Sequence, residues 1–198
     1  MLNEKDKIAE VTESSSDSFY AQCYQLYQAP DFGSVVKVID GSITIYAVCL
    51  HVKTAGLDPN RRPTARGQNC QNEEEIYQQN PQLAQLLQTE FKAQVFAHKQ
   101  NDTFKSYLPP QATKIHAFVY IASRDECHQL AHNLDFMRYL LYGNLDINND
   151  EVTAALLRFL SKTQDSPQAF LEQAGLQAAS LILNDAARLK FFLRRLDH

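Results

Sequence analysis

The chain has 198 residues, 44% of them hydrophobic and 21% charged, a globular composition too apolar for a disordered protein. Its formal net charge of −4 disfavours a broad nucleic-acid-binding face, which would carry a basic excess. No apolar run approaches the roughly 20 residues of a membrane helix, and Cys23, Cys49, Cys70 and Cys127 show no CxxC or disulfide-framework spacing, so reduced thiols in a cytoplasmic protein are expected.

Residues 1–17 mix Glu4, Asp6, Glu10, Glu13 and Asp17 with Lys5 and Lys7 and hold few apolar side chains, which predicts a mobile N-terminal tail. A β-barrel-like domain is expected over 18–121. Asp40-Gly41 is a hairpin signal, because a tight turn needs positive φ. Taking Asp40 and Gly41 as the turn sets Ile39 opposite Ser42, Val38 opposite Ile43, Val36 opposite Ile45 and Lys37 opposite Thr44. Val48, Leu50 and Val52 then fall on the face opposite Ile43 and Ile45, so the second strand is buried on both sides or bulged near Ala47. Thr54 to Gly67 reads as an irregular loop containing Pro59 and Pro63, and Asn80-Pro81 as the start of a short helix. Phe91, Ala93, Val95 and Ala97 alternate with Lys92, Gln94 and His98, a half-buried strand interrupted at Phe96. After a turn at Asn101-Asp102, Ile115 to Ile121 is apolar almost throughout, which predicts a strand covered on both faces.

From Ser123 the period becomes helical. Ser123 and Glu126 form a capping box, and Cys127, Leu130, Ala131, Leu134, Met137 and Leu141 recur at helical spacing, predicting one helix that ends at Gly143. Further helices are expected over about 150–162, 167–183 and 185–196. Strands first and helices afterwards give an α+β chain: a small antiparallel β-barrel followed by an all-helical domain, a bundle over 122–198.

The six glycines stand alone at 33, 41, 56, 67, 143 and 175, so no glycine-rich phosphate loop exists, and neither GxSxG nor HExxH occurs. No catalytic residue and no cofactor is expected. Asp146, Asn148 and Asp150 resemble the start of a calcium loop, but Glu151 and Leu157 stand where glycine and a bidentate acid are needed, so a helix cap is expected there. His128, His132 and Asp135 lie at i, i+4 and i+7, a spacing that could ligate a metal along one helix face; the competing reading is the solvated border of the Leu stripe. Arg61, Arg62 and Arg66 could hold an anion or a partner through guanidinium forks, unless Glu73, Glu74 and Glu75 neutralise them internally. Arg188, Lys190, Arg194 and Arg195 form a basic end that complements a helix dipole or docks an acidic partner.

Over residues 31–121 the chain resembles the HAS-barrel, the small β-barrel named for the HerA DNA translocase and the rotary ATP synthase. The resemblance lies in Phe32-Gly33-Ser34-Val35-Val36, Ile45 to Val52, Leu57-Asp58-Pro59-Asn60-Arg61-Arg62-Pro63, Asn80-Pro81-Gln82-Leu83 and Leu108-Pro109-Pro110. The whole chain also resembles stand-alone proteins from photosynthetic bacteria. The resemblance implies a barrel used for ring assembly or partner docking, without the nucleotide-binding motor domain that carries the chemistry in those machines. The expected function is a non-enzymatic binding or assembly module with a protein partner or self-association and no membrane. The alternatives are a metal-dependent enzyme or regulator using His128, His132 and Asp135, or an accessory factor of a nucleic-acid motor using Arg61, Arg62 and Arg66.

Overall fold

A computed structural model describes residues 6–58 and 60–196. Seven strands come first: β1 (Ala9–Ser14), β2 (Ser18–Cys23), β3 (Val35–Asp40), β4 (Ile43–Gly56), β5 (Leu87–Gln100), β6 (Thr103–Lys105) and β7 (Phe118–Ile121). Helix α1 (Glu73–Gln79) and a 3-10 turn (Pro81–Leu86) interrupt them between β4 and β5. The helices α2 (Arg124–Leu130), α3 (Phe136–Tyr142), α4 (Asn149–Ser161), α5 (Pro167–Leu181) and α6 (Ala186–Leu196) follow. No helix is long and apolar enough to cross a membrane.

Every strand pairing is antiparallel, and the pairing of β2 with β5 closes the order β2-β1-β7-β3-β4-β5 into a six-stranded barrel, with β6 folded back on β5 as a hairpin. The barrel is filled by its own side chains: Val11, Phe19, Val36, Ile45, Phe91 and Val119 are all 3% exposed or less. The expected α+β order of barrel and then helices is therefore present.

The segment 1–17 is not a tail as a whole. Residues 1–5 lie outside the described residues, but Ala9–Ser14 forms β1, paired on both sides, with Ile8, Ala9 and Val11 buried. Of the acidic residues that suggested solvent, Glu10 and Glu13 lie on the outward side of this strand, and Glu10 binds Tyr24 and His116 at the surface.

The β3–β4 hairpin exists with a turn one residue later than expected. Asp40 pairs with Ile43 and Lys37 with Tyr46, so the two turn residues are Gly41 and Ser42, and Gly41 alone supplies positive φ, at 61°. The whole pairing is thereby displaced by two positions, which leaves each side chain on its expected face. From Ile45 to Leu50 β4 is buried on both sides, Ile45, Ala47 and Cys49 lining the barrel while Tyr46, Val48 and Leu50 face the helices; beyond Leu50, the residues His51 to Thr54 of β4, Val52 included, are exposed. Its register with β5 shifts twice, at Phe96 of β5 opposite Tyr46/Ala47 and at Leu50 of β4. The Phe96 bulge turns that ring outward onto Phe136 of α3, with ring centroids 5.0 Å apart. β5 is more covered than the alternation predicts, since Gln94 and His98 are also buried; Gln94 Nε2 donates to Tyr139 Oη and His98 Nδ1 to the carbonyl of Tyr107. β7, in contrast, is only four residues long, with Phe118 exposed and Ile115 outside it and exposed, so the expected doubly covered strand is not found.

The Leu-rich helix after Ser123 is two helices. The capping box of Ser123 and Glu126 is present, but α2 ends at Leu130, and α3 starts afresh behind Asp135, whose amide donates to Asn133 Oδ1. The three later helices lie within a few residues of their expected bounds, and Asn148 caps α4 by accepting from the Glu151 amide. α4 is the centre of the helical layer, with Val152, Ala154, Leu156, Leu157 and Leu160 buried. The helices seat on the outer face of β3, β4 and β5, so Tyr46, Val48, Leu50 and Phe96 belong to the helical core. Gly33 marks the closest approach: its φ is 82°, and a Cβ there would meet the Ala155 Cβ at 2.5 Å.

Candidate docking surface

The seam between barrel and helices is locked by polar bonds. Lys37 Nζ donates to both Glu126 oxygens at 2.7 and 2.9 Å, Tyr46 Oη donates to Oε1 at 3.0 Å, and the Ser123 amide donates to Oε2 at 2.7 Å. Lys92 is ion-paired with Asp146 across the same seam. Of the basic residues of α6, Arg188 grips Asp150 and the Leu141 carbonyl, and Arg195 pairs with Glu151, so half of the basic end fastens α6 to the start of α4. Arg194 lies 6.0 Å from the centre of the Phe191 ring instead.

The buried thiols are chemically quiet. Burial pushes the Cys23 thiol up to about 11 and that of Cys49 to about 12, which keeps both protonated near neutrality.

The proposed metal trio loses its common helix, because the chain leaves α2 between His128 and His132 and Asp135 sits at the cap of α3. The two histidines remain neighbours, ring centroids 5.0 Å apart, and His128 Nδ1 donates to the Thr163 carbonyl at 3.2 Å. They edge an open cavity of about 360 Å³ shared with Gln164, Asp165, Ser166 and Gln173. Among the described residues no three His, Cys, Asp or Glu side chains come together in a way that could hold a metal ion. His116, in the turn before β7, is bonded to Glu10. A second open cavity, about 470 Å³, lies at the seam against Pro30, Asp31, Ser34, Ile121 and Phe159.

The arginines Arg61, Arg62 and Arg66 stand on a different kind of structure. β4 and β5 pair out to Gly56 and Leu87, the Leu57 amide donates to the Leu86 carbonyl at 2.9 Å, and the 30 residues 57–86 form an arm beyond that last rung. None of its described residues is buried. Within the arm the order is local: Asn72 caps α1 through the Glu75 amide, Asn80 Nδ2 donates to the Ile76 carbonyl, and Ile76 lies on Gly67; Tyr77 ties α1 to the barrel domain. At its root Tyr27, with φ of 64°, donates its amide to Thr89 Oγ1 at 2.9 Å and sets its hydroxyl 2.5 Å from that of Tyr77 on α1.

Arg61, Arg62 and Arg66 are exposed and form no ion pair with any described carboxylate, so of the two alternatives, solvated or paired with Glu73, Glu74 and Glu75, they stand solvated among the described residues. The glutamates fill the first turn of α1, where they complement its dipole, and Glu75 accepts from the Gln71 amide at 2.8 Å. Helix α1 was invisible to hydropathy because it has no buried residue; the signal for it was the cap Asn72 followed by three acids. No protein-family model matches the chain, and no curated protein matches it at a significant level.

Proposed function

We propose that the chain is a non-enzymatic binding and assembly module, a HAS-like barrel braced by helices that presents residues 57–86 as its docking arm. The closed six-stranded antiparallel barrel supports the resemblance at the level of architecture. The arm carries the functional reading. Ordering a chain costs about 1–2 kcal/mol per residue, normally offset by burial, and no described residue between 57 and 86 is buried. Connections longer than about 12–15 residues are uncommon inside a compact fold, and binding loops are one class of them. A partner laid on this arm would supply the burial it lacks.

The test follows from the last rung. Residues 58–85 are replaced by Asn-Gly, which closes Leu57 and Leu86 as a two-residue hairpin. Circular dichroism and thermal melting are expected to show barrel and helices α2–α6 intact, with only α1 and its Tyr77–Tyr27 bond lost, because none of the described residues removed is buried. Sedimentation and affinity capture from native lysate are then compared for both proteins. The full chain is expected to associate, with itself or with a captured protein, and the armless chain to be inert. Association that is equal in the two proteins, or missing from both, overturns the docking-arm reading.

A further inference from the structure

We infer that the arm's partner is the arm of a second copy of this chain, the arginines of one copy set against the glutamates of the other. The inference rests on the docking-arm reading above and names its partner. It is carried by the distribution of charge. Along the arm, after Asp58, whose carboxylate accepts from the Asn60 amide, Arg61, Arg62 and Arg66 form a basic stretch and Glu73, Glu74 and Glu75 an acidic one. All three arginines, Glu73 and Glu74 are exposed, and none of these five forms an ion pair among the described residues.

Elsewhere among the described residues single exposed charges such as Glu13, Lys162, Glu172 and Lys190 also lack an ion pair, but other charges are joined in pairs within the chain. Lys37 meets Glu126, Lys92 meets Asp146, Lys114 meets Asp40, Arg188 meets Asp150, and Arg195 meets Glu151. Across a two-fold axis each contact is made twice, residue i of one copy to residue j of the other and the reverse. A segment with one positive and one negative stretch is therefore complementary to itself when turned around. A partner of a single sign would match one stretch and repel the other. Leu57 and Leu86, 49% and 55% exposed at the root of the arm, would add apolar surface to the same contact. Exposed ion pairs are individually weak, so the contact is sensitive to salt.

Sedimentation equilibrium of the full chain tests this first, without any variant. Between about 0.01 M salt, with a Debye length of about 30 Å, and about 1 M, with one of about 3 Å, self-association is expected to weaken at least about tenfold. Two charge-reversed proteins test it second: R61E/R62E/R66E and E73R/E74R, the latter keeping Glu75 at its capping bond. Each is expected to be monomeric alone, and an equimolar mixture is expected to form a heterodimer. A full chain that is monomeric at low salt, association indifferent to salt, or variants that stay apart when mixed overturns the inference. Association that survives both charge reversals but vanishes in the armless chain overturns the charge pairing and leaves the docking arm standing. Association that survives loss of the arm overturns both.

Discussion

Glu126 shows how a single side chain ties the two layers together. It is residue N3 of the α2 capping box, and its carboxylate also accepts from Lys37 and Tyr46 on the barrel. Burial by itself would raise its pKa, but the Lys37 ammonium and the Ser123 amide outweigh burial and hold it below its ordinary 4.5. Burial, aided by the negative Glu126, pushes the Tyr46 phenol far above its ordinary range, so that hydroxyl remains a donor. The sign for stability follows from linkage: a carboxyl with a depressed native pKa stabilises the fold fully above 4.5, and this contribution is lost as pH falls through the native value. Glu126→Gln preserves the capping geometry but removes the countercharge from Lys37, whose side chain is 15% exposed. The variant is predicted to lose about 1–3 kcal/mol at pH 7. Urea denaturation at pH 7 and at about pH 3.5 checks it, and the gap to the parent should shrink at the lower pH. An equal loss at both values would mean that packing, not charge, is the contribution of Glu126.

At the level of elements, β1 has more weight than its composition suggests. It bridges β2 and β7, so without it the barrel opens and two strands gain free edges, which are sites of aggregation. Deleting residues 1–14 also removes the buried Ile8, Ala9 and Val11. The prediction is loss of the cooperative thermal transition, together with dye binding to exposed apolar surface; a cooperative melt within a few degrees of the parent would show that β1 is dispensable. What could be read in advance divides along the same physical line. Where one strong local preference acted alone, the sequence was legible: the Ser123–Glu126 box, the Asn101-Asp102 turn with both φ positive, and α4 with its broad apolar face. Where tertiary contacts decide, it was not. The outward acids of β1 hid its inward residues, and the Leu stripe runs unbroken through 131–135, where the chain turns at Asn133 without glycine or proline. The arginines were legible as candidates, but their freedom from the nearby glutamates depends on the path of the arm, which no pattern in 57–86 encodes. For the histidines, spacing gave the proximity of His128 and His132 and could not give the break that moves Asp135 to another helix.

For the molecule as a whole, the decisive feature is that its two cores share strands. Alternate residues of β4 point into the barrel and into the helices: Ile45, Ala47 and Cys49 one way, Tyr46, Val48 and Leu50 the other. Melting the helices would uncover Tyr46, Val48, Leu50 and Phe96 at once, and opening the barrel would remove the surface on which α2, α3 and α4 rest. Neither layer has a stable boundary of its own, so barrel and helices are predicted to unfold in a single transition. Ile45→Ala cuts the barrel core and Leu156→Ala the helical core, and each should cost about 2–5 kcal/mol. Far-ultraviolet circular dichroism, dominated by the helices, and the fluorescence of strand tyrosines such as Tyr20 and Tyr120 should move together to one lower midpoint in either variant. If Leu156→Ala displaced only the helical signal and left the barrel melting at its original midpoint, the seam would contribute nothing to cooperativity, and the two layers would be separate domains in contact.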